Sequence, residues 1–237
     1  MEPSLDEIGL RFGASKSSLQ RDLFRHYERF VSPLRNEEID LLEIGVGDGA
    51  SLLTWLEYFP RARVVGLDVR RVRVAGLPAR GSIVHGAQDD VVLLVDLLRE
   101  FRFRVVIDDG SRAGAAQLAS FLTLFPALEP GGLYGCEGVW SRFPADTASA
   151  GRLLAGRPTG PAAPKPSGAV DVGDDGDDEN EPNLTALLVA LGATLSTGVL
   201  REPEGIDRAR FAGAVRCAEA VIFLPRAVVV TARGRRP

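Results

Sequence analysis

Three glycines and two carboxylates near the start of the chain have the spacing of a nucleoside-binding turn. Gly45, Gly47 and Gly49 directly follow an apolar segment, and Glu43 lies two residues before the first of them. Glycine permits the tight turn and lets the backbone approach a ligand closely. Asp68 ends the next apolar segment, where a carboxylate can accept hydrogen bonds from both hydroxyls of a ribose. These residues predict a cofactor site in which a glycine turn faces an acid.

Glu43 narrows the chemical class of that cofactor. A carboxylate beside the glycine turn would repel the pyrophosphate of a dinucleotide but could orient an ammonium group. The third position of the dinucleotide fingerprint is also unmet, because Ala50-Ser51-Leu52 follows Gly49. These features favour S-adenosyl-L-methionine, whose amino group and sulfonium are cationic, over NAD. A tight strand-to-helix turn without any ligand is the alternative.

The elements that position these residues follow from the hydrophobic pattern. Short apolar runs alternate with helix-length amphipathic segments, which is typical of an α/β fold with a mostly parallel, doubly wound sheet. Two apolar runs near the end of the chain predict an antiparallel hairpin. Ligands of such sheets bind beyond the carboxyl ends of the strands. The predicted strands are 41–45, 63–68, 82–85, 103–108, 133–137, 221–224 and 227–231, and the predicted helices are 4–12, 16–31, 49–57, 90–100, 113–128 and 183–192.

Composition divides the chain into four parts. Residues 1–38 are predicted to form a helical cap, and residues 39–143 a Rossmann-like core that binds the cofactor. Residues 144–182 are rich in Pro, Gly, Ala and Asp and predict a flexible insertion, either a lid or an expanded loop. Residues 183–237 are expected to supply a helix, which Asn183 could cap, and the closing hairpin.

Charge and hydropathy exclude several classes of partner. The chain has 237 residues with 28 Lys and Arg against 32 Asp and Glu, so its net charge of −4 argues against binding nucleic acid or an anionic membrane. Two cysteines are too few for a disulfide framework. There is no apolar run of membrane-spanning length and no signal-peptide pattern at the start. A cytoplasmic protein with a small-molecule substrate is expected, and it could be a homo-oligomer.

A set of short motifs resembles one group of class I methyltransferases. The segments 41–47, 55–60, 66–68, 107–111 and 130–134 read LLEIGVG, WLEYFP, GLD, IDDGS and PGGLY. They occur in the same order in the metal-dependent sugar O-methyltransferases of macrolide antibiotic biosynthesis, the mycinamicin type. The resemblance covers about residues 4–143 and the closing hairpin, and it implies methylation of a natural product in secondary metabolism.

The resemblance implies a role for individual residues at the cofactor. It assigns Glu43, Gly45 and Gly47 to the amino-acid end of S-adenosyl-L-methionine and Asp68 to its ribose. It also implies Gln88, in Gly86-Ala87-Gln88 where the family has Gly-Asp-Gln, as a further cofactor residue. Asp108 is expected to contact the cofactor as well.

The chemistry of the family is only partly retained. Asp109 and Glu137 match carboxylates of its magnesium site, but Gly138 replaces the neighbouring aspartate, so Mg²⁺ is expected to bind weakly. Arg112 replaces the family's histidine base, and a guanidinium stays charged at ordinary pH. At the start of the chain, Gly13-Ala14-Ser15-Lys16 and Arg21-Asp22-Leu23 stand where the family has Gly-Thr-Asp-Lys and His-x-Tyr.

Two functions therefore stay open at this point. The protein could transfer a methyl group, with Asp108, Asp109, Glu137 or His85 as the base, or with none if the acceptor oxygen is acidic. It could instead be a repurposed scaffold for cyclisation, dehydration or rearrangement, or a non-catalytic partner subunit. In that case Arg112 would act as a fixed cation that stabilises an oxyanion. Trp140 is expected at the mouth of the acceptor pocket in either case.

Overall fold

The computed structural model describes residues 2–139, 184–199, 203 and 205–234. The predicted insertion 144–182, Trp140 and Asn183 lie outside the described residues, and the domain boundaries stay predictions. Among the described residues, none of the helices combines the length and the apolarity that crossing a bilayer requires.

A seven-stranded sheet forms the centre of the described structure, in the order β3-β2-β1-β4-β5-β7-β6. The pairs among β1 to β5 are parallel, and β7 pairs antiparallel with both β5 and β6. This arrangement confirms the predicted mostly parallel sheet with an antiparallel C-terminal hairpin. The strands are β1 Asp40–Ile44, β2 Arg63–Asp68, β3 Gly81–His85, β4 Phe103–Asp108, β5 Leu133–Glu137, β6 Ala218–Phe223 and β7 Ala227–Ala232.

Helices cover both faces of the sheet. The first three pack against one face around Phe24 and Trp55, and the remaining described helices pack against the other around Phe121 and Phe211. Because helices cover the central strands on both sides, β1 is buried along its whole length and reads as a continuous apolar run apart from its acids. The helices are α1 Leu5–Phe12, α2 Leu23–Val31, α3 Ala50–Tyr58, α4 Val91–Glu100, α5 Gly114–Leu124, α6 Leu184–Thr197 and α7 Arg208–Cys217.

The prediction of one helix over residues 16–31 is wrong in its first half. Helix α2 begins at Leu23, and its first amides, of Leu23 and Phe24, both donate to the carbonyl oxygen of Lys16. Asp22 has φ 54°, in the left-handed region that interrupts a right-handed helix. Residues 13–22 therefore form a compact linker between α1 and α2. Helix α7 was not predicted, and the predicted helix over 113–128 ends as a 3-10 turn at Phe125–Ala127.

Strand register brings the predicted site residues to one edge. Glu43 of β1 is level with Ile107 of β4, and the chain leaves both strands immediately afterwards. Asp68 ends β2 and Glu137 ends β5 at the same edge. The carboxyl ends of four parallel strands thus meet where the site was expected.

Candidate functional site

The glycine turn after β1 packs against the protein at Gly45 and is open to solvent at Gly47. Gly45 has φ 84°, and a Cβ there would lie 2.2 Å from the carbonyl oxygen of Asp109. This position therefore needs glycine because the turns after β1 and β4 pack directly against each other. Gly47 has φ 62°, and a Cβ there would meet no atom within 4 Å. The backbone at Gly47 is therefore accessible to a ligand.

Asp68 lies under this turn. Its Oδ2 accepts hydrogen bonds from the amides of Val46 and Gly47, at 3.0 and 3.2 Å. Its Oδ1 accepts from the amide of Arg70 at 2.8 Å and lies 3.3 Å from the Arg70 guanidinium. Burial raises the pKa of Asp68, but these hydrogen bonds from Arg70 and Gly47 outweigh it and hold the pKa below its usual value. Asp68 is thus an ionised acceptor at the edge of the turn.

Glu43 is buried below the same turn and has one unsatisfied oxygen. Its Oε1 accepts hydrogen bonds from the Ser51 hydroxyl and, at 3.3 Å, from the Trp55 indole. Its Oε2 is buried and has no hydrogen-bond partner among the described residues. Such an oxygen is costly without a donor. An ammonium group placed beside Glu43 would supply one.

Asp108 was predicted to bind the cofactor and to act in catalysis, but its carboxyl group is completely buried. It accepts hydrogen bonds from the hydroxyls of Tyr134 and Ser120, at 2.8 and 2.9 Å, and from the Gln88 amide at 3.3 Å. Burial raises its pKa to about 6, although these hydroxyls favour the ionised form. The carboxyl group of Asp108 is thus enclosed by its hydrogen-bond partners, whereas the side chain of the neighbouring Asp109 is 23% exposed.

Gln88, also predicted at the cofactor, belongs to the same buried network. Its Nε2 donates to Asp108, and its Oε1 accepts from the amide of Ser111. A Cβ at Gly110 would overlap this Oε1. Gln88, which is 7% exposed, therefore stabilises the turn that follows β4 from the protein interior.

Asp109 and Glu137 meet at the same edge, and each is bound by cations. The guanidinium of Arg21 donates to Asp109 Oδ1 and Oδ2 at 3.0 and 2.7 Å, and to Glu137 Oε2 at 2.9 Å. Lys16 Nζ donates to Asp109 Oδ2 at 2.5 Å and lies 3.6 Å from Glu137 Oε1, which also accepts from the Tyr27 hydroxyl at 3.1 Å. We call Lys16, Arg21, Asp109 and Glu137 the ion-pair cluster.

Sequence reasoning missed both cations of the ion-pair cluster. Lys16 and Arg21 precede their acidic partners by a long stretch of chain, so local patterns did not connect them. A signal was nevertheless present, because both residues belong to the two N-terminal segments that align with motifs of the resembling family.

The pKa values of the two acids in the cluster are shifted in opposite directions. Burial raises the pKa of Asp109, but Lys16 and Arg21 outweigh it and hold that pKa at about 2. Complete burial raises the pKa of Glu137 to about 8 despite the same two cations. With Glu43 included, three carboxylates share two cations, so one proton would make the group neutral. The raised pKa values of Glu43 and Glu137 agree with that balance.

These residues do not fit a magnesium site. Mg²⁺ needs carboxylate and water oxygens in octahedral geometry. Here all four carboxylate oxygens of Asp109 and Glu137 face a nitrogen or hydroxyl donor within 3.6 Å. Among the described residues, no group of three or more His, Cys, Asp and Glu side chains is arranged to hold a metal.

Arg112 lies next to this cluster in space. It is exposed, and its Cγ lies 3.5 Å from where a Cβ of Gly138 would be, directly after β5. Gly138 has φ 76°, so the chain turns sharply there. Arg112 therefore packs over the position where the resembling family has its second acid.

A separate cavity of about 480 Å³ lies at the opposite edge of the sheet. Its lining includes Arg61 and Glu38, which form an ion pair, and Arg63 and Asp40, which pair at 2.6 Å. Arg104, which also lines this cavity, has a buried Nε without a hydrogen-bond partner among the described residues. The carboxyl edge is nevertheless the better candidate for a ligand site, because it holds the glycine turn and the acids of four strands.

Comparison with known proteins identifies similar methyltransferases. No family model matches the chain. It is 36% identical over 151 residues to mycinamicin VI 2''-O-methyltransferase of Micromonospora griseorubida, which is 60% of this chain and 37% of that protein. It is 35% identical over 150 residues to demethylmacrocin O-methyltransferase of Streptomyces fradiae, with 60% and 38% covered. The matched segment thus spans little more than a third of these relatives.

The same likeness is found among solved structures. The MycE methyltransferase from the mycinamycin biosynthetic pathway, in complex with Mg, SAH and mycinamycin VI, matches 99% of this chain and 56% of that chain. The TM-score is 0.71 and the sequence identity is 25%. A second crystal form, with Mg and SAH, gives a TM-score of 0.73 at 24% identity. The chain therefore has the class I methyltransferase fold, and in sequence it resembles the macrolide sugar O-methyltransferases.

Proposed function

We propose that the protein binds S-adenosyl-L-methionine and methylates an oxygen atom of a small-molecule natural product. Two observations carry this proposal: the buried Oε2 of Glu43 has no hydrogen-bond partner among the described residues, and the backbone at Gly47, in the turn that follows the same strand, is open. The relatives named above are O-methyltransferases of antibiotic pathways, and the MycE structures contain SAH.

Three groups of this chain would hold the cofactor. Glu43 would accept a hydrogen bond from its ammonium group, and the backbone at Gly47 would lie against it. Asp68 would accept hydrogen bonds from the ribose. The ribose must then displace the guanidinium of Arg70, which is 68% exposed and can leave at little cost.

Gln88 and Asp108 would act on the cofactor indirectly. Their mutual hydrogen bonds and the contact from Gln88 to Ser111 support the turn after β4, which closes one side of the site. We therefore propose that they position this turn and do not react with the substrate.

The acceptor oxygen must lose its proton with little help from the protein. S-adenosyl-L-methionine supplies an activated methyl group, so proximity and orientation dominate the transfer. Asp109, with a pKa of about 2, is a weak base, and Glu137 is completely buried. This favours an acceptor that ionises readily, such as a phenol or an acidic enol. Arg112 at the end of β5 would stabilise its oxyanion.

The same lack of a base favours a second candidate. A scaffold that binds S-adenosyl-L-methionine could promote cyclisation, dehydration or rearrangement of a natural product without methyl transfer. It could also serve as a non-catalytic partner subunit.

Calorimetric titration with S-adenosyl-L-methionine and S-adenosylhomocysteine tests the cofactor. We expect both to bind, and Asp68→Asn to weaken binding by about tenfold or more, because hydrogen bonds to a charged acceptor are lost. Asp96→Asn on the exposed face of α4 removes the same charge and should leave the affinity unchanged. A wild-type protein that binds neither compound would refute the proposal.

Methyl transfer needs a separate measurement. The protein would be incubated with methyl-labelled S-adenosyl-L-methionine and a small-molecule extract of the source organism with its gene deleted. Label in an extracted metabolite supports O-methylation. Cofactor binding with no transferred label, and loss of a metabolite in the deletion strain, would favour the second candidate.

A further inference from the structure

We propose that the guanidinium of Arg21 takes the place of a divalent cation between Asp109 and Glu137, so that this end of the cleft works without a metal. The inference deepens the proposed function, since it concerns the acceptor end of the same site. It stands on the geometry of the ion-pair cluster and on charge.

Arg21 contacts both carboxylates in the manner of a bridging ligand. Its two terminal nitrogens form a fork on Asp109, at 3.0 and 2.7 Å, and the first of them also reaches Glu137 at 2.9 Å. A planar guanidinium suits this bidentate geometry. A metal ion between these acids would have to expel Arg21.

Lys16 makes the replacement of Arg21 by a metal ion still less favourable. Its ammonium is 2% exposed and lies 2.5 Å from Asp109 Oδ2. A divalent ion on Asp109 would bring two further positive charges next to a buried cation, which the low polarity of the interior makes costly. The carboxylates of Asp109 and Glu137 already have their countercharge in the folded chain.

The linker between α1 and α2 holds Arg21 in this position. Arg21 donates from its backbone amide to the Ser15 carbonyl at 3.2 Å and from its side chain to the Ser15 hydroxyl at 3.0 Å. The left-handed Asp22 follows it directly and turns the chain into α2. Arg21 is thus fixed at its backbone and at its head group.

Arg21 also remains open to a substrate. Its side chain is 26% exposed, against 2% for Lys16. It therefore combines the two features of a bound metal ion in a cleft, contact with both acids and a face that is open to the acceptor.

Binding of Mn²⁺, followed by electron paramagnetic resonance without cofactor, tests the proposal. The wild-type protein should show no saturable binding below about millimolar Mn²⁺, the range of weak oxygen sites. The double variant Lys16→Met/Arg21→Ala uncovers the acids and should bind one Mn²⁺ at least tenfold more tightly. Because that variant could fold poorly, its melting temperature is measured with and without Mn²⁺, which should raise it by mass action.

Two further variants identify the residue responsible. Arg21→Lys retains a cation and should stay as insensitive to Mn²⁺ as the wild type. Arg29→Ala removes an exposed charge from helix α2, which follows the linker, and should also change nothing.

Two results would overturn the proposal. One is stoichiometric Mn²⁺ binding by the wild type that Asp109→Asn abolishes. The other is a double variant that neither binds Mn²⁺ nor is stabilised by it. Neither depends on methyl transfer, so the proposal can fail while the proposed function stands, and the reverse.

Discussion

The ammonium of Lys16 lies 3.4 Å from Oε1 of Glu43, and both side chains are buried. This contact joins the linker before α2 to the strand that carries the glycine turn. The two residues belong to parts of the chain that the sequence pattern assigns to different domains. Their charges nevertheless depend on one another, because neither has access to water.

Replacing Lys16 by methionine should destabilise the protein strongly. Lys16→Met retains most of the side-chain volume but leaves Glu43, Asp109 and Glu137 with one cation, and breaking a buried pair costs about 3–5 kcal/mol. Urea unfolding at pH 7 measures the free energy of unfolding. Arg99→Gln is the control, because its ion pair with Asp96 is exposed and should contribute at most about 1 kcal/mol. Equal losses in the two variants would contradict the assigned role of Lys16.

Alanine at Gly47 should weaken cofactor binding beyond its effect on stability. Gly47 and Gly13 both have positive φ, 62° and 70°, and both have open space where a Cβ would lie. Gly47→Ala and Gly13→Ala should therefore lose similar stability, about 1–2 kcal/mol. Only Gly47 faces the proposed cofactor, so its variant alone should bind S-adenosylhomocysteine about tenfold more weakly. If calorimetry gave the Gly47→Ala variant and the wild type the same affinity for S-adenosylhomocysteine, the cofactor would have to bind elsewhere.

The stability of the protein should depend on pH through the titration of Asp108. Burial raises the pKa of Asp108 from 3.8 to about 6 in the folded state, so its protonated form favours folding. That contribution is complete below about pH 4 and is lost as the pH rises through 6. Relative to Asp108→Asn, the wild type should thus lose up to about 3 kcal/mol between pH 4 and pH 7. Urea unfolding of both proteins at several pH values measures this difference, and a constant difference would show that Asp108 does not titrate in this range.

The elements of the sheet could be predicted because the buried strands are short apolar runs, and β1, β2, β4 and β5 carry an acid at or next to their ends. Glu43 and Asp68 were found for the same reason. Helix α7 was missed because its sequence is only weakly apolar, and only Phe211 and Ala214 are buried in it. The first half of the predicted helix 16–31 was wrong because α2 begins only at Leu23, where the amides of Leu23 and Phe24 donate to the Lys16 carbonyl, a contact that no local pattern shows.

The chemistry of the site was harder to predict than its location. Asp108 and Asp109 are neighbours with the same side chain, but Asp108 is the last residue of β4 and Asp109 is the first residue of the turn that follows. One of them is buried and the other reaches the cleft, but the sequence does not say which. The partners of Asp109 come from the start of the chain, and only the folded structure brings Lys16 and Arg21 to it.

The position of the linker between α1 and α2 limits how this domain can be shortened or transplanted. A fragment that starts at β1 would keep the glycine turn and every acid of the site, yet it would lose both cations that neutralise those acids. Engineered versions, and chimeras that exchange the Rossmann-like core between enzymes, need to retain the chain from before Lys16 onwards.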